Sequence, residues 1–331
     1  MPGGGPGVAA RKASTRVVRR LGIIVVTYQS SRHIDALLDS LPAACPGMEY
    51  ATVVVDNHST DGTAEAVERR TDARVVRSGG NVGYAAGINA GMREIGRNVD
   101  AVAILNPDLT LREDCLRRLA QALHDPGVGV AAPRLVDDHE HVQPSIFLAP
   151  TAGRAWGDAV LGRRMPRRPH WSREAVYDQA VYDVAADVFC ASGAAWLVAM
   201  DAARAVGDWD ERFFLFSEEI DYARRLSETG FRFVYVPSAV AQHVGSGSGT
   251  SPDLAALMAV NRVRAFRDGH GRAAVAAYHA ASVTRAALRA WQPGSRRALA
   301  HLVGLRPYST LPHGDLAGWT RPDRTRAPHP N

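Results

Sequence analysis

Lysine is almost missing from these 331 residues: Lys12 is the only one, and arginine carries the rest of a net charge of +5 and a pI of about 9.4. A Gly-Lys-Ser/Thr phosphate loop and a Schiff-base lysine are therefore excluded from the folded part. Cysteine is scarce as well. Cys45, Cys115 and Cys190 are scattered, odd in number and without a CxxC pair, which argues against a disulfide framework and against a zinc site. No apolar run approaches the length of a membrane span, and residues 21–26 are too short for the core of a secretory signal. No Gly-x-Ser-x-Gly elbow and no HExxH occur. His139 and His141 form only an H-x-H pair in a polar turn and are discounted. These absences leave a cytoplasmic protein whose positive charge suits nucleotide diphosphates, a lipid surface or nucleic acid.

What is present reads as soluble and globular, with 46% hydrophobic and 22% charged residues. The first 135 residues alternate short aliphatic runs with helical spacing. LGIIVV (21–26), ATVVVD (51–56), ARVVR (73–77) and DAVAILN (100–106) are the runs, and Ile34, Leu37, Leu38 and Leu41 show the spacing. Such alternation predicts a parallel sheet with helical crossovers, and ligands on such sheets lie beyond the carboxyl ends of the strands. Thr27-Tyr28, Asp56-Asn57 and Asn106-Pro107-Asp108 all fall at those ends. Residues 150–180 carry little periodicity and are expected to be a loop region; residues 184–199 resume regular structure.

Four stretches stand out chemically. VVVDNHSTDGT (53–63) closes an aliphatic strand with Asp56, a carboxylate whose desolvation calls for a partner such as a pyrimidine N3–H; Ser59 or Thr60 is expected to cap the helix that follows. SGGNVGYAAGINAG (78–91) repeats Gly83, Gly87 and Gly91 along one helix face, which fits close helix packing and close approach of a ligand equally well, while Asn81 and Asn89 fit the ligand better. FLFSEEIDYARR (214–225) puts Glu218, Glu219 and Asp221 at a helix start behind an aromatic patch. Like-charge repulsion there would raise a carboxyl pKa toward that of a general base, although one or two of the three would serve as caps. VPSAVAQHVGSGSG (236–249) sets His243 ahead of a Gly/Ser run in which Gly245, Gly247 and Gly249 would let the backbone close over a phosphate.

Taken in order, "VVTYQS", "VVVDNHSTDGT", "NVGYAAGINAG", "LNPD", "SGAAWLVAMDAARAVGDWDERFFLFSEEID" and "GFRFVYVPSAVAQH" resemble the successive blocks of the family 2 inverting glycosyltransferases of GT-A fold, nearest their rhamnosyltransferase-like branch. The likeness runs over some two thirds of the chain, from Leu21 to His243. It implies an α/β GT-A fold and transfer of a sugar, rhamnose among the candidates, from a dTDP- or UDP-sugar to an acceptor hydroxyl. Mg²⁺ or Mn²⁺ is implied as cofactor, and a lipid-linked acceptor in cell-surface polysaccharide synthesis is one that the branch allows. Asp108 takes the place of the family's metal-binding Asp-x-Asp, with Asn106 beside it, and His243 matches a histidine near the metal or diphosphate. Thr27, Tyr28, Asp56, Asn81, Gly83, Asn89 and Asn106 are assigned to the nucleotide. Glu219 stands where the family's catalytic aspartate does, although Glu-Glu replaces Glu-Asp and leaves Glu218 as the other candidate base. Trp209, Asp210 and Asp221 are assigned to acceptor contact or fold support.

The expected organisation is a disordered tail (1–20), a GT-A domain (21–250) with a nucleotide half (21–135) and an acceptor half (136–250), a helical extension (251–306) and a second disordered tail (307–331). Within the extension, Val263, Phe266, Val275 and Tyr278 with Arg262, Arg264, Arg267, Arg272, Arg285 and Arg289 fit either peripheral contact with anionic lipid at the inner face of the plasma membrane or a helical pair packed on the domain. Two other readings compete. One is a catalytically inactive relative that binds a sugar nucleotide as a sensor. The other, a nucleic-acid binder, rests on pI alone and lacks an RNA-binding aromatic signature, so no nucleic-acid partner is expected.

Overall fold

A computed structural model of the chain describes residues 15–162, 169, 172–245 and 251–314. In chain order the first half comprises β1 (Arg20–Thr27), α1 (Ile34–Ala44), β2 (Glu49–Asp56), α2 (Thr63–Glu68), β3 (Ala73–Arg77), α3 (Tyr84–Ile95), β4 (Ala101–Leu105), β5 (Leu109–Leu111), α4 (Cys115–Ala122) and β6 (Val128–Val136). There follow β7 (Ile146–Phe147), α5 (Ala152–Val160), β8 (Ala186–Val188), β9 (Cys190–Ala191), β10 (Ala195–Ala199), α6 (Met200–Val206), α7 (Glu218–Glu228) and β11 (Arg232–His243). Three helices close the described chain: α8 (Pro252–Arg267), α9 (Arg272–Ala287) and α10 (Pro293–Leu302). No helix among the described residues is long and apolar enough to cross a membrane.

The main sheet runs β3-β2-β1-β4-β10-β6-β11-β5, with β8 added on β11. Strands β1 to β4 pair in parallel, with the central β1 and β4 almost wholly buried and aliphatic and the outer β2 and β3 progressively more exposed. β10 enters antiparallel between β4 and β6 and joins the two halves. Register then puts the polar strand ends together: Thr27 lies opposite Asp56, and Asp56 opposite Arg77, on the edge where β4 releases Asn106 to Asp108. The predicted parallel sheet is present, and its polar strand ends lie along one edge.

Helix α3 shows why its glycines recur. A Cβ on Gly87 would lie 2.6 Å from a Val26 methyl carbon, and one on Gly91 2.5 Å from an Ile24 methyl carbon, so both permit close seating of the helix on β1. Gly83 differs. Its φ is +90°, and a Cβ there would come within 2.4 Å of the Phe214 carbonyl oxygen, so the turn before α3 tolerates only glycine.

Several expectations need correction. Residues 150–180 are not all loop: Thr151 caps α5, accepting a bond from the Arg154 backbone N–H, and α5 packs against α9. That helix was hidden because Gly153, Arg154, Gly157 and Asp158 leave it little apolar periodicity. Ser59 and Thr60 do not cap α2, whose N-cap position is Gly62. Both expected tails are ordered in part. The Arg16 guanidinium bonds Asp201 and the carbonyls of Leu123, Pro126 and Val128, and Leu311 is buried while the Tyr308 ring lies under Arg264. Residues 1–14, 315–331 and the Gly/Ser run 246–250 lie outside the described residues. In the extension, Phe266 and Tyr278 stack on each other in the interior, Arg262 is paired with Glu174, and Arg264 holds Tyr308 and the Arg212 carbonyl. The packed alternative describes these positions.

Candidate active site

Asp108 leaves the sheet edge two residues past Asn106, and β11 brings His243 to it. β11 pairs antiparallel with β5 so that His243 faces Leu109, and the Val244 N–H donates to the Asp108 carbonyl. The His243 Nε2 lies 3.4 Å from Asp108 Oδ1. Asp108 is only 7% exposed. Burial works to raise its pKa, but the bond and charge of His243 outweigh it and hold the carboxyl below its ordinary value. Gln143 orients the imidazole: its Nε2 donates to the His243 carbonyl at 2.8 Å, while its Oε1 lies 3.1 Å from His243 Nδ1. With Nδ1 bonded to Gln143, Nε2 is the ring nitrogen that faces the Asp108 carboxylate.

Two candidate donors, Asp108 and His243, suit a hard divalent cation that takes its remaining ligands from a diphosphate and water. Among the described residues no group of three or more His, Cys, Asp or Glu side chains gathers to hold a metal without substrate. The pair would supply two of the ligands of such a cation.

Tyr84, which sequence reading overlooked, links this corner to the glutamates. Its hydroxyl donates to Asn106 Oδ1 at 2.9 Å and lies 3.3 Å from the Gly193 carbonyl. Burial first, and then the charges of Glu218, Asp108 and Glu219, push its pKa up. The phenol thus sits within electrostatic reach of all three carboxylates. Gly193 also faces Glu219, since a Cβ there would lie 3.6 Å from the Glu219 Cβ.

The two glutamates differ in access. Glu218 is buried, and its Oε2 has no hydrogen-bond partner among the described residues, whereas Glu219 keeps partial exposure. Burial, and then the charge of Glu219, raise the Glu218 pKa well above the usual carboxylate range. Burial also raises that of Glu219, against the N–H groups of Ser217 and of its own backbone. Phe216 and Ser217, just before the helix, have φ of +69° and +72°. Non-glycine residues in this region store strain, and two in succession aim the first turn of α7. The extension holds them there. Buried Asn261 of α8 donates to the carbonyls of Leu215 and Phe216, and Tyr308 donates to the Asn261 Oδ1.

At the nucleotide edge the Thr27 hydroxyl and the Ser59 N–H both donate to Asp56, at 2.9 Å each. The cost of burying this carboxylate is therefore met internally, and its burial alone does not call for a ligand. Thr27 is itself buried and acts by holding Asp56, while Tyr28 is 53% exposed beside it. Asn81 accepts the Gly83 N–H, and the neighbouring Asn57 donates to the Gly83 carbonyl.

Asn89 overturns its assignment to the nucleotide. Its amide donates to the Trp209 carbonyl and to Glu211, and it accepts the Trp209 N–H, so it ties α3 to the loop before α7. Trp209 stacks on Tyr222 at 4.3 Å, Asp210 pairs with Arg212, and buried Asp221 pairs with Arg224 and Arg225. All three support the fold. The turn carrying His139 and His141 is organised on Asp137. Cys45, Cys115 and Cys190 are free and buried.

Comparison with known proteins adds an independent line. The profile of "Glycosyl transferase family 2" matches residues 22–145. An N-acetylglucosaminyl-diphospho-decaprenol L-rhamnosyltransferase of Mycobacterium tuberculosis is 32% identical over 244 residues, spanning 70% of this chain and 78% of that protein. The rhamnosyltransferase WbbL of Escherichia coli is 25% identical over 67% of this chain and 82% of its own. The mannosyltransferase PcManGT from Pyrobaculum calidifontis, solved with GDP-Man and Mn²⁺, superposes with a TM-score of 0.53 at 20% identity, over 90% of this chain and 81% of that one. At that identity the likeness speaks for the fold.

Proposed function

Because the chain belongs to glycosyl transferase family 2, we propose that it moves a sugar from a nucleoside-diphosphate donor to a hydroxyl of a lipid-linked acceptor, inverting the anomeric carbon. Rhamnose is the sugar to test first, since two of its relatives are rhamnosyltransferases. A relative acting on a decaprenol-linked diphosphate supports a lipid-linked acceptor, used at the inner face of the membrane in cell-surface glycan synthesis. The observation that supports this reading is that the Tyr84 hydroxyl bonds both Asn106, two residues before Asp108, and the carbonyl of Gly193, which lies against Glu219. A leaving diphosphate and an attacking hydroxyl need groups of the kinds of Asp108 and Glu219 on opposite sides of one carbon.

In this mechanism Tyr28 covers the base, and Asp56, positioned by Thr27, accepts from it. Asp108 and His243 would hold Mg²⁺ or Mn²⁺, which when bound supplies positive charge to the departing diphosphate. Glu219, the more accessible carboxylate, takes the proton from the acceptor hydroxyl as it attacks. Glu218, whose pKa burial raises, orients the acceptor. Tyr84 and Asn106 fix the spacing between the two ends of the site.

Acceptor-dependent release of dTDP or UDP from nucleotide sugars tests the reading. Release is expected with a prenyl-diphosphate-sugar acceptor and divalent metal; nucleotide binding without release under any acceptor would favour the inactive relative instead. Gln143 provides a second check. Gln143→Ala frees the His243 ring and is expected to weaken Mn²⁺ binding in the presence of UDP by about tenfold. Titration followed by the electron spin resonance of free Mn²⁺ measures this, and unchanged affinity would remove Gln143 from the site.

A further inference from the structure

One peptide group joins the helical extension to the two glutamates. The peptide between Phe216 and Ser217 is trans, so its carbonyl and its N–H point to opposite sides. On one side the carbonyl accepts from Asn261 Nδ2 of α8 at 3.3 Å, and the same nitrogen bonds the Leu215 carbonyl at 2.9 Å. On the other side the Ser217 N–H acts on the Glu219 carboxyl, working to lower its pKa against the burial that raises it. Phe216 and Ser217 both hold left-handed backbone. Non-glycine residues keep that conformation only where their surroundings fix it.

Asn261 is itself fixed. It is fully buried, and the Tyr308 hydroxyl donates to its Oδ1, which leaves the donor end of the amide turned to the two carbonyls. Arg264 lies over the Tyr308 ring at 4.0 Å and donates to the Arg212 carbonyl. Phe214, Leu215 and Phe216 pack on the apolar cluster that Leu257, Leu302 and Leu311 form. From the nucleotide half, the Tyr84 N–H donates to the Phe214 carbonyl at 2.7 Å. The turn is therefore gripped between α3 and the extension, and the side chain that fixes its last peptide is Asn261.

We propose that Asn261 is a positioning residue for the base: it sets the Phe216–Ser217 peptide so that Glu219 faces the acceptor hydroxyl, and Tyr308 locks Asn261 in that orientation. The assignment rests on Glu219 as the base, argued above. It makes α8 and the segment after α10 part of the catalytic apparatus, acting through Glu219 rather than on the substrate. Without Asn261 the peptide is free to rotate, and rotation withdraws the Ser217 N–H from the carboxyl. Glu219 is also faced by Glu218 beside it, by Tyr84 of α3 and by Cys190 of β9, whose sulfur lies 3.6 Å from the Glu219 carbonyl. Asn261 bonds none of these among the described residues, so a change in Glu219 on its removal is traced to the peptide.

The test compares the full chain with Asn261→Leu, which fills the volume without donors, and with Tyr308→Phe, which removes one hydroxyl. Asn261→Leu is expected to lower kcat on the order of ten- to a hundredfold, the usual scale for a misplaced catalytic group. Tyr308→Phe should lower it roughly threefold, as loss of one hydrogen bond does. Donor KM and UDP affinity should stay unchanged in both, which also shows that they are folded. The Glu219 carboxyl is followed by nuclear magnetic resonance in chains carrying carboxyl-labelled glutamate, its signal assigned by its loss in Glu219→Gln. Its titration should move to higher pH in Asn261→Leu, and the acidic limb of kcat/KM with it. Asn261→Leu added to Glu219→Gln should cost little further turnover, because the two act through one group. An unchanged Glu219 titration in Asn261→Leu, a full further loss in the double variant, or a fall in UDP affinity matching that in kcat would each overturn the assignment. If Asn261→Leu does not fold, wild-type kcat and wild-type Glu219 titration in Tyr308→Phe would overturn it instead. Full turnover in Glu219→Gln would refute the base itself, whereas the titration reports the link from Asn261 to Glu219 without any turnover.

Discussion

Glu219→Gln is expected to lower turnover on the order of a hundredfold or more and to leave binding of the sugar nucleotide nearly unchanged. Glutamine preserves the size and packing of the side chain but cannot accept the acceptor proton. Glu219 is the less buried of the two, whereas Glu218 is buried with an unpartnered oxygen among the described residues, so Glu219 is the proposed proton acceptor. Adjacent helical residues point about 100° apart, so one sugar hydroxyl does not meet both side chains alike. Glu218→Gln is accordingly expected to change acceptor affinity more than the chemical step. Because burial raises the Glu219 pKa, the acidic limb of kcat/KM should lie above the ordinary glutamate range, with activity gained as pH rises through it. Stability runs the other way. Between the unfolded and the raised folded pKa the native chain holds more protons, so this pair's contribution is fully present at low pH and is lost as pH rises through that window. A larger loss in Glu218→Gln than in Glu219→Gln would exchange their roles.

Asp108→Asn is expected to lower turnover at least about a hundredfold while the chain remains folded, since a metal on a leaving diphosphate contributes several kcal/mol. Asparagine has the same shape but lacks the charge that a hard cation requires. The carboxylate is 7% exposed and is held ionised by His243, so it is formed before the nucleotide arrives. Mn²⁺ binding in the presence of UDP should fall with activity, and the melting temperature should change little. Full activity of the wild-type chain in excess chelator would end the case for metal.

The strand ends were legible in the sequence because aliphatic runs give way to polar residues at one edge, and parallel register then brings Thr27, Asp56 and Asp108 to that edge. His243 was legible only as a loop histidine. What seats it beside Asp108 is the pairing of β11 with β5, a contact between residues more than a hundred positions apart that no local pattern encodes. Gln143 and Asn261 gave no sequence signal at all, since each acts through groups brought near by tertiary packing. Tyr84 was in plain view within NVGYAAGINAG, yet the glycines around it drew the reading toward backbone geometry. Asn89 failed for the opposite reason: a polar residue on a glycine-rich face looked free for a ligand, whereas the loop carrying Trp209 uses its whole amide. Asp56 carries the same lesson, because Thr27 and Ser59 satisfy it without a ligand.

The anomeric configuration of the product tests the central claim most directly. Transfer from dTDP-rhamnose, or from whichever nucleotide sugar is consumed, to a prenyl-diphosphate-sugar acceptor is followed by the one-bond carbon–hydrogen coupling at the new anomeric centre. A single base at Glu219, opposite a diphosphate held at Asp108 and His243, predicts a configuration inverted from that of the donor. A product that retains the donor's configuration would contradict it.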